Sequence, residues 1–411
     1  MNLAHKIKLN PTPEQEAYFR QAVGCARFVW NWVVAQWLEG NEQKNAPSPI
    51  ALKKQFNVIK YEEFPWMKDI HRDAHSQPFA NFSKAVNDYF ADLKNHEKPH
   101  KPQFKKKGKA RDSFYIANDK FQLDGKRIKI PKIGWVHMTE SLRFDGKIMS
   151  ATVSRQAECW LVSIQVEVAP PHETRKRKAH RIDGADLGIK TAVVLSSGEE
   201  IESPKPLKAA LRRLKIRQRR VSRKLEAAKK QAGITGKLPK GTRLPESNNR
   251  RKATMKVAKL HMRITNIRND FTHKTTTRLM SENQAIGIED LNVSGMTKNH
   301  KLARALSDVG FGEFRRQIEY KAKLYDTTIV LADRFYPSSK TCSVCDYKLP
   351  KLELKTREWD CPQCGTHHDR DTNAARNLKR LATETALPVA NQTVTTDPSL
   401  RVSDTLAMAG K

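Results

Sequence analysis

Long apolar runs are missing from this chain. No stretch approaches the ~18 residues that a membrane-spanning helix needs. The opening Met-Asn-Leu-Ala-His-Lys carries no hydrophobic signal core. Acid is scarce as well: 44 Asp and Glu stand against 76 Lys and Arg, a formal net charge of +32. An excess of that size repels itself in a compact state, so the sequence implies a polyanionic partner. A membrane surface is one polyanion, but binding it takes a lipid-facing stripe or an anchor. Neither is visible, which leaves nucleic acid and a soluble, intracellular protein. Only six cysteines occur, only 38% of residues are hydrophobic, and no internal repeat is seen. At 411 residues there is still length for two to four domains with proper cores.

The stretch that organises the rest runs from Cys342 to Asn377. Cys342-Ser343-Val344-Cys345 is followed after fifteen residues by Cys361-Pro362-Gln363-Cys364-Gly365. Two such pairs match the spacing of a four-thiolate zinc ribbon, with sulfurs about 2.3 Å from one tetrahedral ion. Two disulfides would fit the same spacing, but they belong to an oxidising compartment and nothing here suggests export. The other two cysteines, Cys25 and Cys159, sit in apolar surroundings and read as small buried hydrophobes. Asp369-Arg370-Asp371 follows the second pair and precedes a helix-like Thr372–Leu381. A structural metal knuckle therefore abuts a second site of a different kind.

His5-Lys6-Ile7-Lys8-Leu9 alternates polar and apolar residues, which predicts a short strand. Thr12-Pro13-Glu14-Gln15 supplies an N-cap, a proline at the first helical position and a capping-box glutamine. Phe19, Ala22, Val23, Ala26, Trp30, Val33 and Trp37 continue that helix as one stripe. A second helix is expected from about Pro78, with Phe79, Phe82, Val86, Phe90 and Leu93 on one face. These aromatics serve as core or, alternatively, as base-stacking platforms. Between the helices, Ile50–Lys60 gives a weaker helical signal and Tyr61–Met67 a turn.

From Lys98 to Arg111 seven basic residues occur without an acid. Strand signals follow at Phe114–Ile116, Arg127–Ile130, Gly134–Val136, Ser150–Arg155 and Trp160–Val168, with Asp-Gly hairpin turns at 124–125 and 145–146. They predict a small antiparallel barrel or sandwich that the N-terminal strand joins. Pro170-Pro171 and Arg175–Lys178 read as a linker. Lys205 to Lys224 holds ten Lys or Arg and no acid. Leu207, Leu211, Leu214, Val221 and Leu225 line one side of that helix. They face Val257, Leu260, Ile264, Ile267 and Phe271 of a second, the seam of a helical hairpin. A charge run can be no more than a solvated face, but an imbalance this complete points to phosphates. Ala285–Ile288 and Thr328–Ala332 read as buried strands around a Phe311–Tyr325 helix. Beyond Ala382 the residues are small and polar, which predicts a disordered tail over 382–411.

Three acids stand where elements of the C-terminal half begin or end: Asp186, Glu289 and Asp371. Three carboxylates from separate segments can bracket two Mg²⁺ ions about 3.5–4 Å apart, the arrangement that hydrolyses phosphodiesters. Spacing alone is a weak signal among 44 acids, and Asp371 could equally be a helix N-cap.

Arg334–Cys345 together with Trp359–Asn377 closely resembles the end of the TnpB family of transposon-encoded RNA-guided nucleases. The likeness extends to Gly184–Lys190, Arg268–Lys274, Ile286–Leu291, Ser307–Phe314, Leu9–Gln15 and Gly24–Asn31. It covers the chain from residue 1 to about 380. The resemblance implies an α/β multidomain protein with an RNase H-like (RuvC) nuclease domain at 183–338 and 369–381. That domain would include a basic hairpin at about 205–280 and be interrupted by a zinc ribbon at 339–368. A helical recognition lobe would occupy 11–98, and a wedge β-barrel 1–10 with 99–182. It further implies that Asp186, Glu289 and Asp371 are catalytic and hold Mg²⁺, or Mn²⁺ in its place. Cys342, Cys345, Cys361 and Cys364 would hold Zn²⁺, and Asp369, Arg370 and Asn373 would support the acids. The partners it implies are a guide RNA and double-stranded target DNA, bound by a monomeric ribonucleoprotein in the cytoplasm and nucleoid of a prokaryotic cell. Base pairing would supply target sequence, while the protein reads a short adjacent motif. Arg72, Ser76, Gln77 and Asn118 are candidate readers. Lys105, Lys106, Lys107, Arg212, Arg213, Arg219 and Arg220 are candidate phosphate contacts.

A compact type V CRISPR effector has the same parts and differs only in the source of its guide. A binding-only relative would lack one acid, and all three are present. Single-strand transposition chemistry needs two histidines two residues apart, and none of the 13 histidines is so placed. A zinc-ribbon transcription factor would leave residues 183–380 without a purpose.

Overall fold

The computed structural model describes residues 1–392 apart from 44, 96–98, 170–180, 240, 243 and 354. The chain forms two compact units, Met1–Ala169 and Pro170–Lys411. The expected linker over 170–178 lies outside the described residues, as does the tail from 393.

In the first unit, β1 (Asn2–Asn10) alternates strictly, with Leu3, His5, Ile7 and Leu9 inward. The capping box at Thr12 and Gln15 starts α1 (Pro13–Glu42), a 30-residue helix. α2 (Pro49–Ile59) begins at the Ser48 cap, and Pro65–Asp69 makes one 3₁₀ turn. α3 spans Arg72–Lys94, so it starts six residues before the expected Pro78. Pro78 lies inside the helix, where packing of its buried ring outweighs one lost backbone bond. Phe90 and Leu93, expected on the core face, are 53% and 43% exposed; it is Tyr89 that turns inward there, packing on Trp37.

The strands are β2 (Ser113–Ala117), β3 (Gln122–Asp124), β4 (Arg127–Ile130), β5 (Gly134–Met138), β6 (Lys147–Gln156) and β7 (Cys159–Glu167). β3 has no clear sequence signal because it is only three residues long. With β1 they make one antiparallel sheet in the order β2-β6-β7-β1-β5-β4-β3. The N-terminal strand thus lies inside the sheet, paired to β7 from Asn2↔Glu167 to Leu9↔Trp160. Helices and sheet share one apolar cluster, in which Phe19 of α1 packs on Phe114 of β2 and Trp160 of β7. Trp30, Trp37, Phe79 and Phe82 are buried in that cluster, so they are core rather than stacking platforms.

The second unit is built on a five-stranded sheet: β8 (Arg181–Asp186), β9 (Val193–Leu195), β10 (Glu200–Ile201), β11 (Asn283–Glu289) and β12 (Thr328–Ala332). Its order is β10-β9-β8-β11-β12, with β8, β11 and β12 parallel to one another and β9 antiparallel to both of its neighbours, β8 and β10. Arg181 and Ile182, expected to close the preceding β unit, begin β8 and pair with β11. Between β10 and β11 come α4 (Pro206–Gln231) and α5 (Asn248–Glu282). Ala210 and Leu214 pack against Leu260 and Ile264 at their seam, while Ile267 is exposed. α6 (Ala303–Val309) and α7 (Phe311–Tyr325) precede β12. The ribbon then contributes β13 (Glu358–Asp360) and β14 (His367–Asp369), paired antiparallel. α8 follows without a break as Arg370–Gln392, so residues 382–392 are helical rather than disordered.

Candidate active site

Gly184 of β8 and Gly287 of β11 are register partners in the centre of the sheet. A Cβ on Gly184 would overlap the carbonyl oxygen of Ala375, and one on Gly287 that of Leu378. The two glycines are therefore a floor on which α8 lies at backbone contact, through the fully buried Ala374, Ala375, Leu378 and Ala382. Strand side chains alternate, so residues two further on share the glycine face. Those residues are Asp186 and Glu289. The helix lying on that floor carries Asp371 in its first turn.

The electrostatics are those of three crowded acids. Asp186 is half-buried and its carboxyl is pushed up to about 8, first by desolvation and then by the negative charges of Glu289 and Asp371. Arg370 partly offsets this, while Asp369 adds to it. Glu289 Oε1 accepts a 2.7 Å hydrogen bond from Ser338 Oγ. Arg357 Nη1 donates to both oxygens of Asp371, at 3.1 and 3.4 Å. Asp369 Oδ1 accepts from the Thr372 amide at 2.8 Å, so Asp369 rather than Asp371 caps α8. Asp290 is no competitor for the site: Arg315, then Arg334, hold its carboxyl below the usual range. A cavity of about 240 Å³ adjoins Glu289, lined also by Tyr336, Ser338, Lys340 and Arg370.

The ribbon is fastened to the same helix. The Sγ atoms of Cys342, Cys345, Cys361 and Cys364 lie within 4.8 Å of one another, a set that fits one tetrahedral metal ion. His368 Nε2 lies 3.1 Å from Cys342 Sγ, and its ring packs on Trp359. Asn373, expected beside the acids, instead clamps the first knuckle. Its Nδ2 donates to Thr341 O at 2.7 Å and its Oδ1 accepts from the Ser343 amide at 2.9 Å. Asn377, one turn on, donates to the carbonyls of Ser338 and Thr341. Sequence reading missed Asn377, although its four-residue spacing from Asn373 puts both on one helix face.

The proposed nucleic-acid residues are scattered over both units. Arg72, Lys106, Lys107 and Asn118 are exposed in the first, and Arg212, Arg213, Arg219 and Arg220 in the second. Ser76 is half-buried, and Gln77 lines a polar cavity of about 320 Å³ with Arg27, Asn81 and Arg111. Lys105 is not a free contact. Its ammonium lies 3.7 Å from the Trp30 ring centroid and its backbone bonds both ways to Asn31. Asp308, which carried no assigned role, caps α4 from a distance by accepting from the amides of Leu207 and Lys208.

Family models match three parts of the chain: "Probable transposase" over residues 163–300, "Cas12f1-like, TNB domain" over 311–378 and "Helix-turn-helix domain" over 1–45. Residues 2–42 here form a strand and one unbroken helix rather than a helix–turn–helix. A Streptomyces pristinaespiralis protein named "Putative RNA-guided DNA endonuclease" is 34% identical over 387 residues, covering 91% of this chain and 88% of its own. An Escherichia coli K12 protein, "Putative RNA-guided DNA endonuclease InsQ", is 28% identical over 397 residues, covering 91% of each. "TnpB-like protein L79" of Acanthamoeba polyphaga mimivirus is 26% identical over 220 residues, 52% of this chain and 39% of that one. With a strand-end acid cluster beside a four-cysteine ribbon, and relatives along nearly its whole length, the chain belongs to the TnpB family.

Proposed function

We propose that this protein is an RNA-guided DNA endonuclease whose active acids are Asp186, Glu289 and Asp371. The observation that carries the reading is the placement of these acids at one end of a glycine-floored sheet, where burial first and then the charges of Glu289 and Asp371 push the Asp186 carboxyl up to about 8. Mutual repulsion of that kind suits a hard divalent cation, for which carboxylate oxygens are the preferred ligands. Mg²⁺ held by the three acids, as one ion or two and with Mn²⁺ as a substitute, would supply charge neutralisation and an activated water. The chain's own residues prepare that site. Ser338 fixes one oxygen of Glu289. Arg370 and Lys340 give the adjoining cavity a cationic wall suited to a phosphate. Asn373, Asn377 and a Zn²⁺ in the cysteine set would lock the ribbon to the helix that carries Asp371.

Guide RNA and target DNA are the polyanions that answer a charge of +32. The exposed arginines of α4 would hold phosphates without reading bases. The protein would act as a monomeric ribonucleoprotein on chromosomal DNA.

The test is purification after co-expression with flanking DNA, sequencing of any bound RNA, and incubation with a matching plasmid library and Mg²⁺. Wild type is expected to linearise plasmids carrying one adjacent motif, while Asp186→Ala falls to background. A discrete bound RNA without cleavage by either protein would favour a binding-only regulator. No discrete RNA would overturn guidance.

A further inference from the structure

Single exposed apolar side chains are ordinary on protein surfaces, but Phe335 is unusual in degree and place. It is 87% exposed, above every other large hydrophobic residue among those described; Val58 and Ile50 follow at 75% and 72%. It stands just past β12, whose last residue Ala332 is the register partner of Glu289. Its backbone is held firmly: the Phe335 amide donates to Asp333 Oδ1 at 2.8 Å, and the Tyr336 amide to Asp333 O at 2.9 Å. The residues on either side are tied to the acid strand. Arg334 Nη2 donates to Asp290 Oδ2 at 3.2 Å, and Ser338, two residues past Tyr336, donates to Glu289. Tyr336 lines the cavity that also holds Lys340 and Arg370. An exposed phenyl ring thus stands on a braced turn, next in the chain to Tyr336 of the cavity that Lys340 and Arg370 line and three residues from Ser338, the partner of Glu289.

A flat ring in that position gains most from covering by another flat ring. The bases of a duplex are already stacked, whereas an unpaired base offers a free π-face of any sequence. We propose that Phe335 is a stacking platform for an unpaired base of the strand entering the acid site. The proposal rests on the nuclease reading and adds to it a residue that holds a base of the substrate.

The test uses the full chain with its bound RNA, in an Asp186→Ala background that cannot cut. Single-stranded oligonucleotides carrying 2-aminopurine at successive positions are titrated in, along with the same sequences as duplexes. Fluorescence should be quenched at one or two adjacent positions. Phe335→Ala should abolish that quenching and weaken single-strand binding by roughly tenfold, with duplex binding and Tm unchanged. Phe335→Trp should retain both. Equal quenching and affinity in Phe335→Ala would overturn the proposal, and so would quenching at no position, as when a protein surface covers the ring instead. If the protein with Asp186 intact still cuts its target, the nuclease reading survives that failure. If it neither binds nor cuts DNA, the nuclease reading falls and takes the platform with it.

Discussion

The two units of this chain each have an apolar core, but they bring a helix onto a sheet in opposite ways. The first fills its interior with bulk: Phe19, Phe56, Phe82, Trp30, Trp37 and Trp160 stand in one apolar cluster between helices and sheet. The second brings a helix onto its sheet by leaving side chains out, at Gly184 and Gly287, and ties its loops with polar groups. Asn373 and Asn377 are buried clamps, and buried Lys321 donates to His273 O, Thr276 Oγ1 and Thr277 Oγ1 at 2.7–2.8 Å. A bulk-packed core tolerates small shifts, whereas three carboxylates that serve one site, as proposed here, would need a helix held at fixed distance. Close backbone contact and hydrogen bonds specify distance better than apolar mass does.

That contrast can be broken from the ribbon outward. If zinc holds the ribbon, stripping it with a chelator should have the largest effect, because structural zinc contributes on the order of 10 kcal/mol in small domains. Amide exchange should rise across 339–381 and cleavage should stop, while the seven-stranded sheet keeps its protection. Unchanged exchange in α8 would separate the ribbon from the acid site.

A matched pair of substitutions sharpens the comparison. Phe19→Ala should cost about 3–5 kcal/mol through its cavity. Gly287→Ala should cost about 1–3 kcal/mol through overlap with Leu378. Their effects on function should run the other way round. Gly287→Ala lifts α8 from its floor and should lose most cleavage at a temperature where the fold persists; Phe19→Ala should lose little. Denaturant midpoints and cleavage rates measured side by side would reverse the argument if Gly287→Ala cut normally.

The last effect is a pH slope, confined to the acid cluster of the second unit. Asp186 lies near 8 in the folded chain against an ordinary 3.8, so between these values the folded state holds a proton that the unfolded state has lost. Metal-free stability should therefore fall as pH rises from about 4 to about 8. Asp186→Asn should flatten that slope, and Mg²⁺ should restore Tm at the alkaline end in wild type only. A flat wild-type profile would show that the acids are not crowded.

Local signals placed most of the elements. The capping box at Thr12, the alternation in β1 and the Asp124-Gly125 turn are short-range chemistry, and α1, β1 and the β3–β4 hairpin follow from them. Asp145-Gly146, expected as a second hairpin turn, instead precedes β6, which is not paired with β5; the β6–β7 hairpin turns at Ala157-Glu158, both with positive φ. The cysteine spacing led directly to the four gathered sulfurs. Local signals failed where packing overruled them. Pro78 reads as a helix start yet is buried mid-helix, and the polar residues after Ala382 continue α8. Lys105 reads as one lysine in a basic run, but its ammonium covers a tryptophan.

By itself, the amino-acid order determined which residues are acids, thiols and glycines, and which segments alternate with period two or turn with period 3.6. Only the tertiary structure decided which acids meet, because Asp186, Glu289 and Asp371 are brought together by strand register and by a helix lying on two glycines. It also decided which polar side chains act as clamps, since Asn377 and Asp308 bond to carbonyls and amides supplied by distant parts of the chain. Register and long-range hydrogen bonding are properties of the packed chain, and no local pattern encodes them.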